Sequence, residues 1–116
     1  MKGKKFLFRL GCACKGFAQA LRRESSFRIQ VLAAMLALGS MILIRPALIW
    51  AALVVITVCL VLAAELVNTA LEHTLDGLHP ENAEFVRIAK DCAAAAVLIL
   101  AMASVVIYLM MLLAIS

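Results

Sequence analysis

Three long stretches without a charged residue constrain this chain more than any other feature. They span residues 29–44, 47–64 and 92–115, which are 16, 18 and 24 residues long. A membrane-spanning helix needs about 20 mainly apolar residues. The 116-residue chain is 66% hydrophobic, and a chain this short cannot bury so much apolar surface in one soluble core. We therefore predict an all-α integral membrane protein with three transmembrane helices.

The chain reads as a single domain, residues 1–116, with one further helix before the membrane spans. Apolar residues recur there at helical spacing, which is typical of an amphipathic helix in the membrane interface: Phe6, Leu10, Cys14, Phe17 and Leu21. Such a helix is an anchor or a gate for a substrate. We predict the surface helix over residues 5–27 and the spans over 29–45, 47–77 and 88–115. The second span continues past its apolar part into a cytoplasmic extension.

The basic residues predict the orientation in the membrane. Ten of the eleven lie before the first span or between the second and third spans: Lys2, Lys4, Lys5, Arg9, Lys15, Arg22, Arg23, Arg28, Arg87 and Lys90. Only Arg45 lies between the first and second spans. Basic residues concentrate in cytoplasmic segments. We expect the N-terminus and the loop between the second and third spans in the cytoplasm, and the C-terminus outside. The charge gives no indication of a nucleic-acid partner.

Four polar residues on the second predicted span form a candidate site: Glu65, Asn68, Glu72 and Asp76. At about 100° per residue they share an arc of roughly 80° on one helix face. Carboxylates on one face repel each other unless a cation lies between them. Mg²⁺ suits these oxygen ligands and commonly also binds substrate phosphates. The alternatives are a solvated helix face, or an ion site in a small transporter or channel subunit at Glu65 and Asn68.

Two motifs in the chain are similar to a known family. They are Glu65-Leu-Val-Asn68-Thr-Ala-Leu-Glu72 with Asp76, and Ala89-Lys90-Asp91 before a run of small residues; Glu24-Ser-Ser-Phe-Arg28 extends the match upstream. They resemble the prokaryotic diacylglycerol kinases, a family that includes the undecaprenol kinases. The resemblance implies a homotrimer with active sites shared between subunits. It also implies transfer of a phosphoryl group from ATP, with Mg²⁺, to the hydroxyl of a lipid alcohol. The acceptor, undecaprenol or diacylglycerol, stays open.

The resemblance also implies roles for individual residues. Glu65 matches the general base. The ligands of the divalent cation correspond to Glu24 and Glu72. Five further residues are expected near the nucleotide and its phosphates: Asn68, Asp76, Glu81, Lys90 and Asp91. Within this set, Asp91 orients Lys90 and Glu81 lies by the sugar.

Overall fold

The computed structural model describes residues 2–81 and 83–116, with side chains from residue 5 onward, and its architecture is all-helical. The elements are α1 (Lys2–Arg23), α2 (Ser25–Ile44), α3 (Leu48–Leu78) and α4 (Glu84–Ile115). Three helices, α2, α3 and α4, are long and apolar enough to cross a membrane. The predicted all-α class with three spans is confirmed.

The boundary between α1 and α2 differs from the predicted one, because the backbone breaks at Glu24. This residue is extended, with φ −109° and ψ 110°, so α1 ends at Arg23 and α2 begins at Ser25. The guanidinium of Arg28 donates to the carbonyls of Leu21 and Arg22, each at 2.9 Å. The last carbonyls of a helix lack partners within that helix. A side chain of α2 therefore caps α1, and the two helices are joined by a fixed corner.

The turn between α2 and α3 is short and tightly bonded. Arg45 adopts a left-handed conformation, φ 53° and ψ 60°, and its backbone N–H donates to the carbonyl of Met41 at 2.9 Å. A left-handed residue followed by proline is a common way to end a helix, and Pro46 follows here. The chain therefore reverses over three residues, and α3 runs antiparallel to α2.

The length of α3 determines where its polar residues lie. Its 31 residues extend about 46 Å at 1.5 Å per residue. The hydrocarbon core of a bilayer is about 30 Å thick. One end of α3 must therefore project beyond the membrane core. Glu65 lies some 26 Å from the start of the helix, near the boundary, and Asp76 lies well outside it.

The loop between α3 and α4 follows the expected helix end. The backbone N–H of His79 donates to the carbonyl of Leu75 at 2.7 Å, closing α3 after Gly77 and Leu78. The last helix begins at Glu84, one turn earlier than the predicted start at residue 88. An acidic residue in the first turn stabilises a helix N-terminus, and Glu84 supplies it.

The helices pack around α3, which contacts each of the other three. Few apolar side chains are buried, and they lie where the helices pack against one another: Ala20, Phe27, Ala34, Val54, Val61, Val86, Val97 and Met111. Phe27 of α2 meets Phe17 of α1 edge to face, with the ring centroids 5.1 Å apart. Most other large apolar side chains point outward. In a chain with three span-length helices, such surfaces fit a lipid environment.

Candidate functional site

Glu65 is the one charged side chain among the described residues that is buried, with 5% of its surface exposed. It lies on α3, and the hydroxyl of Ser26, in the first turn of α2, donates to its Oε2 atom at 3.1 Å. A buried ionisable group is costly unless it is paired or hydrogen-bonded. The contact thus stabilises a carboxylate near the membrane boundary, where we expected the base.

Asn68 and Glu72 continue the same face of α3. The Nδ2 group of Asn68 donates to the Oε1 atom of Glu72 at 3.4 Å. The Oδ1 atom of Asn68 is buried and has no hydrogen-bond partner among the described residues. A buried acceptor without a partner is unfavourable by about 1–3 kcal/mol. It is therefore a position where a substrate donor or a cation would be stabilised.

Lys90 is paired with Asp76, a second residue of the predicted nucleotide set. Its Nζ atom lies 2.6 Å from Oδ1 of Asp76, so the contact joins α4 to the projecting end of α3. Asp91, expected to orient the lysine, instead accepts from Arg87 at 3.1 Å. Adjacent residues on a helix point about 100° apart, so Asp91 and Lys90 can contact different partners. In this structure, the partner of Lys90 is Asp76.

Glu81 lies in the loop that follows α3. Its carboxylate contacts Nδ1 of His79 at 2.9 Å, and the His79 ring meets Phe85 edge to face at 5.0 Å. A backbone N–H bond within the loop, followed by the bond to His79, lowers the pKa of Glu81. A carboxyl whose pKa is lowered in the folded state contributes to folding stability, and this contribution is lost only as the pH falls through the lowered pKa. The Glu81 carboxyl is therefore ionised at neutral pH.

Glu24 occupies the corner between α1 and α2 and is half-buried. Its side chain does not cap α2. Across residues 2–81 and 83–116, no group of three or more acidic, His or Cys side chains is close enough to hold a metal ion. The assignment of Glu24 and Glu72 as ligands of the cation stays a prediction. The donor chemistry nevertheless suits Mg²⁺, because the unpartnered Asn68 Oδ1 and the Glu72 carboxylate are hard oxygen ligands.

A groove of about 510 Å³ lies within the three span-length helices, one helical turn from this site. It lies between α2, α3 and α4, and its walls are mainly apolar. Gln30 and Val61 line the end near the site; each is one helical turn from the Ser26–Glu65 contact. At the far end, Ser40 and Tyr108 are hydrogen-bonded across the groove at 2.5 Å. The groove thus extends about 15 Å along α2, from Gln30 to Ser40.

Comparison with known proteins decides the family. The family model described as prokaryotic diacylglycerol kinase matches residues 11–112. The chain belongs to this family. It is also similar to a curated protein of Synechocystis sp. named diacylglycerol kinase, with 36% identity over 96 residues. That match covers 82% of this chain and 55% of the relative, so the chain spans about half of the relative's length. Membership in this family and the three span-length helices identify a multi-pass membrane protein.

Two features of the site were not predicted from the sequence. Ser26 was part of the upstream motif, but no role was assigned to it, since its contact with Glu65 joins residues 39 positions apart. The groove is formed by three helices and has no local sequence signal. The one available clue was polar residues within apolar spans, namely Ser40, Thr57, Ser104 and Tyr108.

Proposed function

We propose that this protein is a lipid kinase, which transfers the γ-phosphoryl group of ATP to the hydroxyl of a membrane lipid alcohol. The observation that carries the proposal is the buried Glu65 carboxylate, hydrogen-bonded by Ser26 at the end of the bundle where Lys90 also lies. Family membership supports a kinase. The acceptor is an undecaprenol-type or a diacylglycerol-type alcohol, giving undecaprenyl phosphate or phosphatidic acid.

The residues divide the chemistry between them. Glu65 accepts the proton of the lipid hydroxyl. The hydroxyl oxygen forms a bond to the γ-phosphorus of ATP, and the bond between that phosphorus and ADP breaks. Lys90 neutralises charge on the phosphates, and positioning with charge neutralisation is most of what phosphoryl transfer requires. Asn68, Glu72 and Glu24 would hold Mg²⁺, which supplies further neutralisation when bound. Asp76, Glu81 and Asp91 lie around the nucleotide.

The position of the site fits an acceptor in the membrane and a donor in water. Basic segments flank it, which supports a cytoplasmic location for the site and for the N-terminus. With its exposed Phe6, Leu7, Phe8 and Leu10, α1 lies in the membrane interface as a surface helix. We further propose, from the family resemblance, a homotrimer in the bacterial inner membrane with active sites shared between subunits.

The decisive test uses purified protein with labelled ATP and Mg²⁺, and with diacylglycerol or undecaprenol in separate micelles. We expect labelled lipid from at least one acceptor, and none after chelation of Mg²⁺, with recovery when Mg²⁺ is restored. The faster acceptor identifies the physiological substrate class. If folded protein labels neither lipid, the proposal is wrong, and an ion site at Glu65 and Asn68 becomes the better explanation.

The groove accommodates the hydrocarbon chain of the acceptor, because its walls are mainly apolar and its lining begins one helical turn from Glu65. Ala37→Phe places a ring in the groove. We expect the KM for a long-chain acceptor to rise about tenfold, the equivalent of two lost methylene contacts, with a smaller change for a short-chain acceptor. Initial rates against both acceptors measure this difference.

Gly39→Phe is the matched control for the groove. Gly39 lies on the same helix, outside the groove lining, and a Cβ atom added there meets no atom within 4 Å. This variant should retain the chain-length preference of the wild type. Equal effects of the two substitutions on both acceptors would refute a chain-binding groove.

A further inference from the structure

We infer that Ser26 is a positioning residue for the reaction, which holds Glu65 in the orientation that accepts the lipid proton. This inference rests on the proposed kinase function and goes beyond it, because Ser26 itself has no expected role. The observation is a single long-range contact, from the Ser26 hydroxyl to Oε2 of Glu65 at 3.1 Å. No other side-chain hydrogen bond reaches Glu65 from the part of the chain that the structure describes.

The two residues that follow Ser26 hold its helical turn in place. The next residue, Phe27, is fully buried and packs on Phe17 of α1. One residue further, Arg28 donates to the carbonyls that end α1. The corner between α1 and α2 thus fixes the first turn of α2, and with it the direction of the Ser26 hydroxyl. A hydroxyl on a fixed backbone can orient a carboxylate more narrowly than water does.

The geometry assigns different tasks to the two oxygens of Glu65. Oε2 accepts from Ser26, and Oε1 remains available for the hydroxyl of the acceptor. A serine hydroxyl has one proton to donate, so while it is bonded to Oε2 it does not compete for the acceptor. Without the Ser26 hydroxyl, the Glu65 carboxylate would be free to rotate. A smaller fraction of bound lipid would then have its hydroxyl next to a carboxylate oxygen. The loss would affect turnover more than substrate binding.

Ser26→Ala tests this role with kinetics. We expect kcat to fall about tenfold or more, the effect typical of losing a hydrogen bond to a charged group. The KM values for lipid and for ATP should stay within about twofold, since the proposed role of Ser26 acts through Glu65 and not through a substrate. Ser26→Thr retains the hydroxyl and should recover most of the turnover.

Ser25→Ala is the matched control, because Ser25 is the exposed neighbour on the same turn and contributes no side-chain hydrogen bond to the described structure. Its kinetics should equal those of the wild type. An unchanged kcat in Ser26→Ala would refute the positioning role of Ser26. The proposed kinase function is tested separately, by Glu65→Gln. A kcat lost equally in Ser26→Ala and Ser26→Thr would refute it too, by showing that shape and not the hydroxyl matters. Wild-type protein that labels no lipid would overturn both proposals.

Discussion

Replacing Glu65 by glutamine is expected to lower the rate of lipid phosphorylation by about 10²–10⁴-fold, the usual contribution of a general base. Glutamine has nearly the same shape and keeps an oxygen that can accept from Ser26, so the fold should survive. It cannot accept the proton of the lipid hydroxyl. Initial rates with purified variant in micelles measure the loss, and thermal unfolding with size exclusion establishes that the protein is intact.

The matched control for this variant is Glu84→Gln. Glu84 is exposed on the first turn of α4 and contacts Arg87 at 3.6 Å, so it should lose less than about twofold, as is typical of exposed ion pairs. If folded Glu65→Gln protein retains wild-type rates, Glu65 is not the base. The site would then have to be sought among the other carboxylates, beginning with Glu72.

The membrane architecture was predictable because hydrophobic length is a local property of sequence. Charge-free runs of about the length of a bilayer crossing leave a chain few alternatives, since every backbone polar group in lipid must be satisfied within a helix. The continuation of α3 past its apolar part could also be predicted from the sequence, because no helix-breaking residue appears before Gly77. The shared face of Glu65, Asn68 and Glu72 followed from helical periodicity alone.

Contacts between helices were less predictable, because the spacing of residues along one helix does not predict which side chains of the neighbouring helix contact them. The partner of Lys90 is the example. The family resemblance suggested Asp91, whereas the packing of α4 on α3 brings Asp76 to the lysine. The corner at Glu24 depends likewise on Arg28 reaching back to the carbonyls of α1.

Replacing Lys90 by methionine is expected to lower kcat/KM for ATP by about 10²-fold or more, the size of effect seen when a charge-stabilising donor is removed. Methionine keeps the length of the stem, so packing between α3 and α4 changes little. What is lost is the cation that the phosphates need. Initial rates at varied ATP, with lipid saturating, measure the loss. Lys90→Arg should recover part of it.

The same variant also breaks the Lys90–Asp76 pair, so a purely structural role must be separated from phosphate binding. Asp76→Asn removes the ion pair but leaves the lysine and its charge in place. A lysine that serves the phosphates predicts a much larger loss in Lys90→Met than in Asp76→Asn. A lysine that only ties α4 to α3 predicts equal losses, and no further loss when the two changes are combined. Equal losses, together with reduced thermal stability, would remove Lys90 from the phosphate site.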